Sequence, residues 1–193
     1  DEVLHVVYAE TLRQDEDNAT ALTLQERFKQ YVCRLLVVDA GPDITLAKTL
    51  QGLLPYNRAL PCYFVRGRGK AAVGFYEIDE VEGVVKVHRT RAFDEFVGEF
   101  NRGKIRIARG LAVEPELRAH LTKLKRVMDY DQSGEEVAHW VSPDPENHFW
   151  LALFYLWLAS KISGDELRIV LPGVGLSGAG LVGKVRVGSV QPI

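Results

Sequence analysis

Two groups of oxygen-bearing residues stand out in this chain of 193 residues. One is Asp39, which ends the apolar run Leu35-Leu36-Val37-Val38 and is followed at once by Ala-Gly-Pro. The other is the segment SPDPENHFW, which sets Asp144, Glu146, Asn147 and His148 at the start of an apolar stretch. Oxygen ligands converging from a strand end and a helix start are how Mg²⁺ or Mn²⁺ is held for phosphodiester cleavage. Two such ions sit about 3.5–4 Å apart, one activating water and the other steadying the leaving oxygen. Each group also has a plainer use. Asp before a tight turn stabilises that turn, acids at a helix start complement the helix dipole, and His on an apolar helix packs as a hydrogen-bonded core residue.

Cationic groups are the second class of candidates. The formal net charge is −2, so no global basic field points to nucleic acid, and any such contact must be local. Arg66, Arg68 and Lys70 in RGRGK, with Arg89 and Arg91 after the next strand, are suited to binding phosphates and positioning a duplex without reading bases. A solvated loop is the other reading of RGRGK. Arg102, Lys104, Arg106 and Arg109 form a further basic stretch, which a surface strand face explains.

The elements that must position these groups follow from periodicity. Val3–Glu10 alternates as a strand, and Ala19–Tyr31 repeats Leu22, Phe28 and Tyr31 at helical spacing. After the strand ending at Asp39, Gly41-Pro42-Asp43 makes a turn, with Asp43 as N-cap of a helix running to about Leu53. PCYFV and VVKVH read as strands, and residues 66–83 between them as irregular. A helix over Arg91–Phe100, a short strand GKIRIA and a helix over Glu114–Lys125 with Pro115 in its first turn come next. RVMDYD and EEVAHWV, joined at Gln132-Ser133-Gly134, predict a hairpin.

FWLALFYLWLASKI is too short to span a bilayer, which takes about 20 residues, and predicts a buried core helix. Cys33 and Cys62 flank apolar runs, as reduced, packed thiols do, which favours a cytoplasmic setting. From Leu171 the chain is Gly-rich and lacks acids, consistent with a tail or an added pair of weak strands. The alternation of strands and helices predicts an α/β fold with a largely parallel central sheet, whose active groups gather beyond the strand carboxyl ends. Asp39 falls there.

The segments LLVVDAGPDITLAKTLQ, HRTRAFDEFVGEFNRGKIRIARG, PELRAHLTKLKRV and NHFWLALFYLWLA, in this order, resemble the C-terminal nuclease domain of the large terminase subunits of tailed bacteriophages. The resemblance spans about residues 3–162 and rests on the order and spacing of soft motifs. It implies an RNase H-like (RuvC-like) fold, a mixed central β-sheet flanked by helices, over residues 1–165. Residues 166–193 are then a Gly-rich C-terminal tail.

Position by position, the resemblance implies that Asp39 is the metal-ligating acid at the end of the fourth strand. NHFWLAL matches a helix start where the family usually carries Asp, often followed by His. Here the position is Asn147, which offers a neutral carbonyl oxygen, with Glu146 or Asp144 to supply charge. The implied sites are therefore Asp39, Glu146 and Asn147 for catalysis and Asp39, Asp144, Asn147 and His148 for Mg²⁺ or Mn²⁺. The family's first-strand Asp is expected before residue 1, in a chain read as a domain cut from a longer polypeptide. The resemblance also implies concatemeric double-stranded viral DNA as substrate, and a terminase ATPase domain, portal and small terminase subunit as partners. The setting is the host cytoplasm, with no membrane. A catalytically silent DNA-docking module and another RNase H-like nuclease, such as a junction resolvase, are the alternatives.

Overall fold

The computed structural model describes residues 3–13, 19–41, 43–65, 74–112, 114–130, 134, 136–142, 148–163, 168–174 and 179–187, the last two segments by their backbone pairing. The elements run β1 (Leu4–Arg13), α1 (Ala19–Gln30), β2 (Leu36–Asp39), α2 (Thr45–Leu53), β3 (Ala59–Val65), β4 (Tyr76–Asp79), β5 (Val84–His88) and α3 (Arg89–Asn101). They continue with β6 (Ile105–Ile107), α4 (Arg109–Ala112), α5 (Pro115–Lys123), β7 (Lys125–Tyr130), β8 (Glu136–Val141), α6 (His148–Ser163), β9 (Arg168–Val174) and β10 (Ala179–Val187).

One sheet has the order β2-β3-β5-β4, with β2, β3 and β5 parallel and β4 antiparallel to β5. A second has the order β6-β1-β10-β9, parallel at β6–β1 and antiparallel elsewhere. β9 also lies against β2 and α6, so the C-terminal strands bridge the two sheets. The class is α/β as expected, and the sheets are mixed, as the resemblance implies, rather than largely parallel as the element order alone predicts.

Strand pleating sorts the core. Leu35 and Val37 face one way and, with Leu60, Cys62, Val85 and Val87, pack under α6 and α3. Leu36, Val38 and Ala59 face the other way, against Leu24 and Phe28 of α1 and Ala47 and Leu50 of α2. A strand buried on both faces must be apolar at successive positions, which explains the Leu-Leu-Val-Val run. α6 is covered almost all round, with Phe154, Tyr155 and Leu158 at 0% exposure. At 16 residues it is the buried core helix its composition predicts, and no described helix is long and apolar enough to cross a membrane.

Four local expectations are corrected. β4 lies inside the stretch expected to be irregular; its pairing with β5 orders it, and Gly83 closes the turn at φ +62°, where Gln51 Nε2 donates to its carbonyl oxygen at 2.8 Å. Asp43 does not occupy the N-cap of α2, which is Ile44. Its Oδ1 still accepts from the Thr45 amide at 2.8 Å, so one otherwise open helix donor is satisfied from one residue further out. α3 begins at Arg89 rather than Arg91. α5 ends at Lys123, because Lys125 already pairs with Val141 in the β7–β8 hairpin. In that hairpin's turn Gly134 has φ +79°, while Gln132 and Ser133 lie outside the described residues. Both cysteines are buried free thiols.

Candidate functional site

Asp39 continues the Leu35–Val37 stripe, so its side chain leaves the sheet on the face covered by α6. Register confirms this: Asp39 pairs with Cys62, which belongs to that same core. The strand therefore ends by aiming a carboxylate at the margin of the principal hydrophobic cluster. The turn function is present as well, since the Gly41 amide donates to Asp39 Oδ1 at 3.1 Å. Among the described residues that is its one well-formed hydrogen bond, which satisfies little of a carboxylate with about four lone-pair sites.

Burial pushes the Asp39 carboxyl above its usual range. The Gly41 amide, the Tyr155 hydroxyl, the Arg89 charge and the Ala40 amide oppose that rise without cancelling it. Tyr155 shares Arg89 with Asp39 as a neighbour and has Asp39 itself and Cys62 besides. Burial raises the phenol well above its ordinary value, and the Asp39 charge and the Cys62 thiol push further in that direction. Among the described residues the Tyr155 hydroxyl is a buried side-chain group with no well-formed hydrogen bond. The Cys62 thiol is itself driven up by burial and then by Asp39.

Arg89 opens α3 at the carboxyl end of β5. Its guanidinium rides over the rings of Phe64 at 5.6 Å and Phe93 at 5.4 Å. The residue is otherwise exposed, so a cation fixed by two aromatic faces stands at the same edge as Asp39. Arg91 is also exposed, and its Nη1 donates to the Gly74 carbonyl oxygen at 3.4 Å. Arg66, Arg68 and Lys70 lie outside the described residues.

His148 is the first residue of α6 and half-buried, its ring centroid 6.1 Å from that of buried His120. The Phe149 amide donates to His120 Nδ1 at 3.4 Å. Asp144, Glu146 and Asn147 lie outside the described residues. What is described is the helix that follows them. From His148 to Tyr155 is about two helical turns, or roughly 10 Å, and helical side chains lean toward the helix N-terminus. The Tyr155 phenol, which faces Asp39, thus reaches back toward the His148 end. Among the described residues, no group of three or more His, Cys, Asp or Glu is placed to hold a metal ion.

Tyr155 lies inside the segment NHFWLALFYLWLA, but the resemblance gives it no site role. Its signal in the sequence is a hydroxyl inside an otherwise apolar helix, a group that needs a partner once buried. The chain was compared with protein-family models, curated proteins and solved structures, and none of the three gave a match.

Proposed function

We propose that this chain is the RNase H-like nuclease domain of a phage packaging terminase, a divalent-metal-dependent endonuclease acting on concatemeric double-stranded viral DNA. The observation that carries this reading is Asp39, a half-buried carboxylate at the carboxyl end of a parallel strand, with one well-formed hydrogen bond among the described residues. A purely structural acid in that setting would be expected to be better satisfied, and perturbed carboxyls concentrate at functional sites.

The residues fit a hard cation. Asp39 offers oxygen with free acceptor capacity, and Asp144, Asn147 and His148 would complete the ligand set, with Glu146 beside Asn147 adding negative charge. When bound, Mg²⁺ or Mn²⁺ supplies a water ionised near neutral pH and positive charge for the leaving oxygen. Of the second group, the described His148 opens the helix that carries the phenol beside Asp39 about two turns further on. Arg89 and Arg91, with Arg66, Arg68 and Lys70 before them, would hold backbone phosphates without sequence preference. The mixed sheet, with its antiparallel strands lying beside parallel β2, is in keeping with the RNase H-like reading. An ATPase domain, the portal and the small terminase subunit are the partners that reading brings.

The test is nicking of supercoiled plasmid with Mn²⁺ or Mg²⁺ by the wild-type chain and Asp39→Ala. Cation-dependent nicking lost in the variant is expected. Equal behaviour of the two proteins rejects the assignment.

Asn147, standing where the related acid is expected, favours a second reading: a docking module that binds DNA without cutting it. Salt-sensitive DNA binding that survives Asp39→Ala, with no nicking by the wild type, would select it.

A further inference from the structure

We propose that Tyr155 is the positioning residue for Asp39, its buried phenol donating to the carboxylate and fixing the direction in which the remaining lone pairs point. The inference rests on the reading of Asp39 as a cation ligand.

Packing alone would be served by Phe. Tyr155 sits in the most enclosed stretch of α6, between Phe154 and Leu156, and its ring stacks on Phe64 with centroids 6.2 Å apart and planes at 30°. Phe64 and Cys62 lie on the same face of β3, and Cys62 is the register partner of Asp39. The aromatic ring is therefore held by a strand neighbour, and its hydroxyl is left at the level where β2 ends. A hydroxyl at 0% exposure cannot turn to water.

The polar groups that act on the phenol are Asp39, Cys62 and Arg89. Arg89 has only donors, and a thiol accepts weakly. The carboxylate is the strong acceptor in the set. The phenol and this carboxylate act on one another as side-chain hydrogen-bond partners, though without full hydrogen-bond geometry. With the Gly41 amide on Oδ1 and the phenol as second donor, the carboxylate is pinned from both the turn side and the core side. Groups that orient a ligand in this way belong to the outer shell of a metal site, and their loss weakens metal binding by about 10–100-fold.

The experiment combines Tyr155→Phe with Asp39→Ala and reads thermal midpoints without cation, then Mn²⁺ affinity by calorimetry. Tyr155→Phe is expected to lower the midpoint of the wild type. In the Asp39→Ala background, where the hydroxyl has lost its acceptor, the same change is expected to raise it. Mn²⁺ affinity should fall about tenfold or more in Tyr155→Phe, while DNA affinity without cation stays unchanged. The same shift of midpoint in both backgrounds would overturn the proposal, as would unchanged Mn²⁺ affinity in Tyr155→Phe beside a wild type that binds. A reversal of sign in a wild-type chain that binds no Mn²⁺ would keep the Tyr155–Asp39 link and remove the nuclease reading instead.

Discussion

Two carboxylates meet α6 less than a turn apart, and the helix treats them in opposite ways. Glu99 of α3 receives Trp157 Nε1 at 2.8 Å on Oε2 and Lys161 Nζ at 2.6 Å on Oε1. Among the described residues Asp39 of β2 receives the Gly41 amide and faces the Tyr155 hydroxyl, which has no well-formed hydrogen bond. Burial works against the charged form of both. For Glu99 the bonds from Lys161 and Trp157 outweigh it and hold the carboxyl below its usual range. For Asp39 burial prevails. One acid is a latch between α3 and α6. The other has fewer well-formed donors among the described residues.

The comparison breaks first at the activity. Asp39→Ala should abolish cation-dependent plasmid nicking, a loss beyond the roughly 100-fold that removal of an outer-shell partner costs, whereas Glu99→Gln should leave nicking near wild type per folded molecule. A nicking assay normalised to folded protein decides this.

Stability should sort the two acids in reverse. Glu99→Ala orphans the Trp157 indole N–H and frees Lys161, at a cost of about 2–4 kcal/mol in a denaturant titration. Glu99→Gln keeps an acceptor for the indole and should cost less. The pH dependence has opposite signs. A depressed carboxyl such as Glu99 stabilises the fold above its unfolded pKa, and that contribution disappears as pH falls through its folded value. A raised carboxyl such as Asp39 stabilises the fold while protonated, below its unfolded pKa, and the contribution is lost as pH rises through its folded value.

Asp39→Asn should therefore stabilise the protein at neutral pH. On the proposed reading of Asp39 as a functional acid, such a replacement commonly gains about 0.5–2 kcal/mol. The advantage over wild type should shrink as pH falls and Asp39 takes up its proton. Thermal midpoints of the pair across the acid range check both the sign and the window. A variant less stable than wild type at neutral pH would make Asp39 a structural acid like Glu99.

The smallest effect belongs to a third acid. Asp94 accepts from Trp140 Nε1 at 2.8 Å and pairs with Arg126 at 2.9 Å, tying the β7–β8 hairpin to α3. The pair is open to solvent, so Arg126→Ala should cost less than about 1 kcal/mol. Amide exchange in β7 and β8 should rise while the core stays protected. The Trp-to-carboxylate contact thus recurs, and its worth is set by burial.

Much of the fold is legible along the chain. The Leu-Leu-Val-Val run announces a strand covered on both faces, and the unbroken apolar stretch of α6 announces a helix with no solvent side. β4 is hidden in a glycine-rich, charged neighbourhood, because β5 supplies the pairing that orders Tyr76–Asp79. The pairing of β10 with β1 is equally non-local, joining strands from opposite ends of the sequence. Local composition carries no record of such partners.

The candidate site divides along the same line. By itself the sequence determined that an acid stands where a buried strand meets a turn, since strand periodicity and turn chemistry are local properties. Only the tertiary structure decided that this acid points under α6 rather than into solvent, that Tyr155 is the hydroxyl facing it, and that Glu99 is the carboxylate the same helix satisfies. Those outcomes depend on which side chains long-range packing brings within a few ångströms, and charge, burial and hydrogen bonding act only at that range.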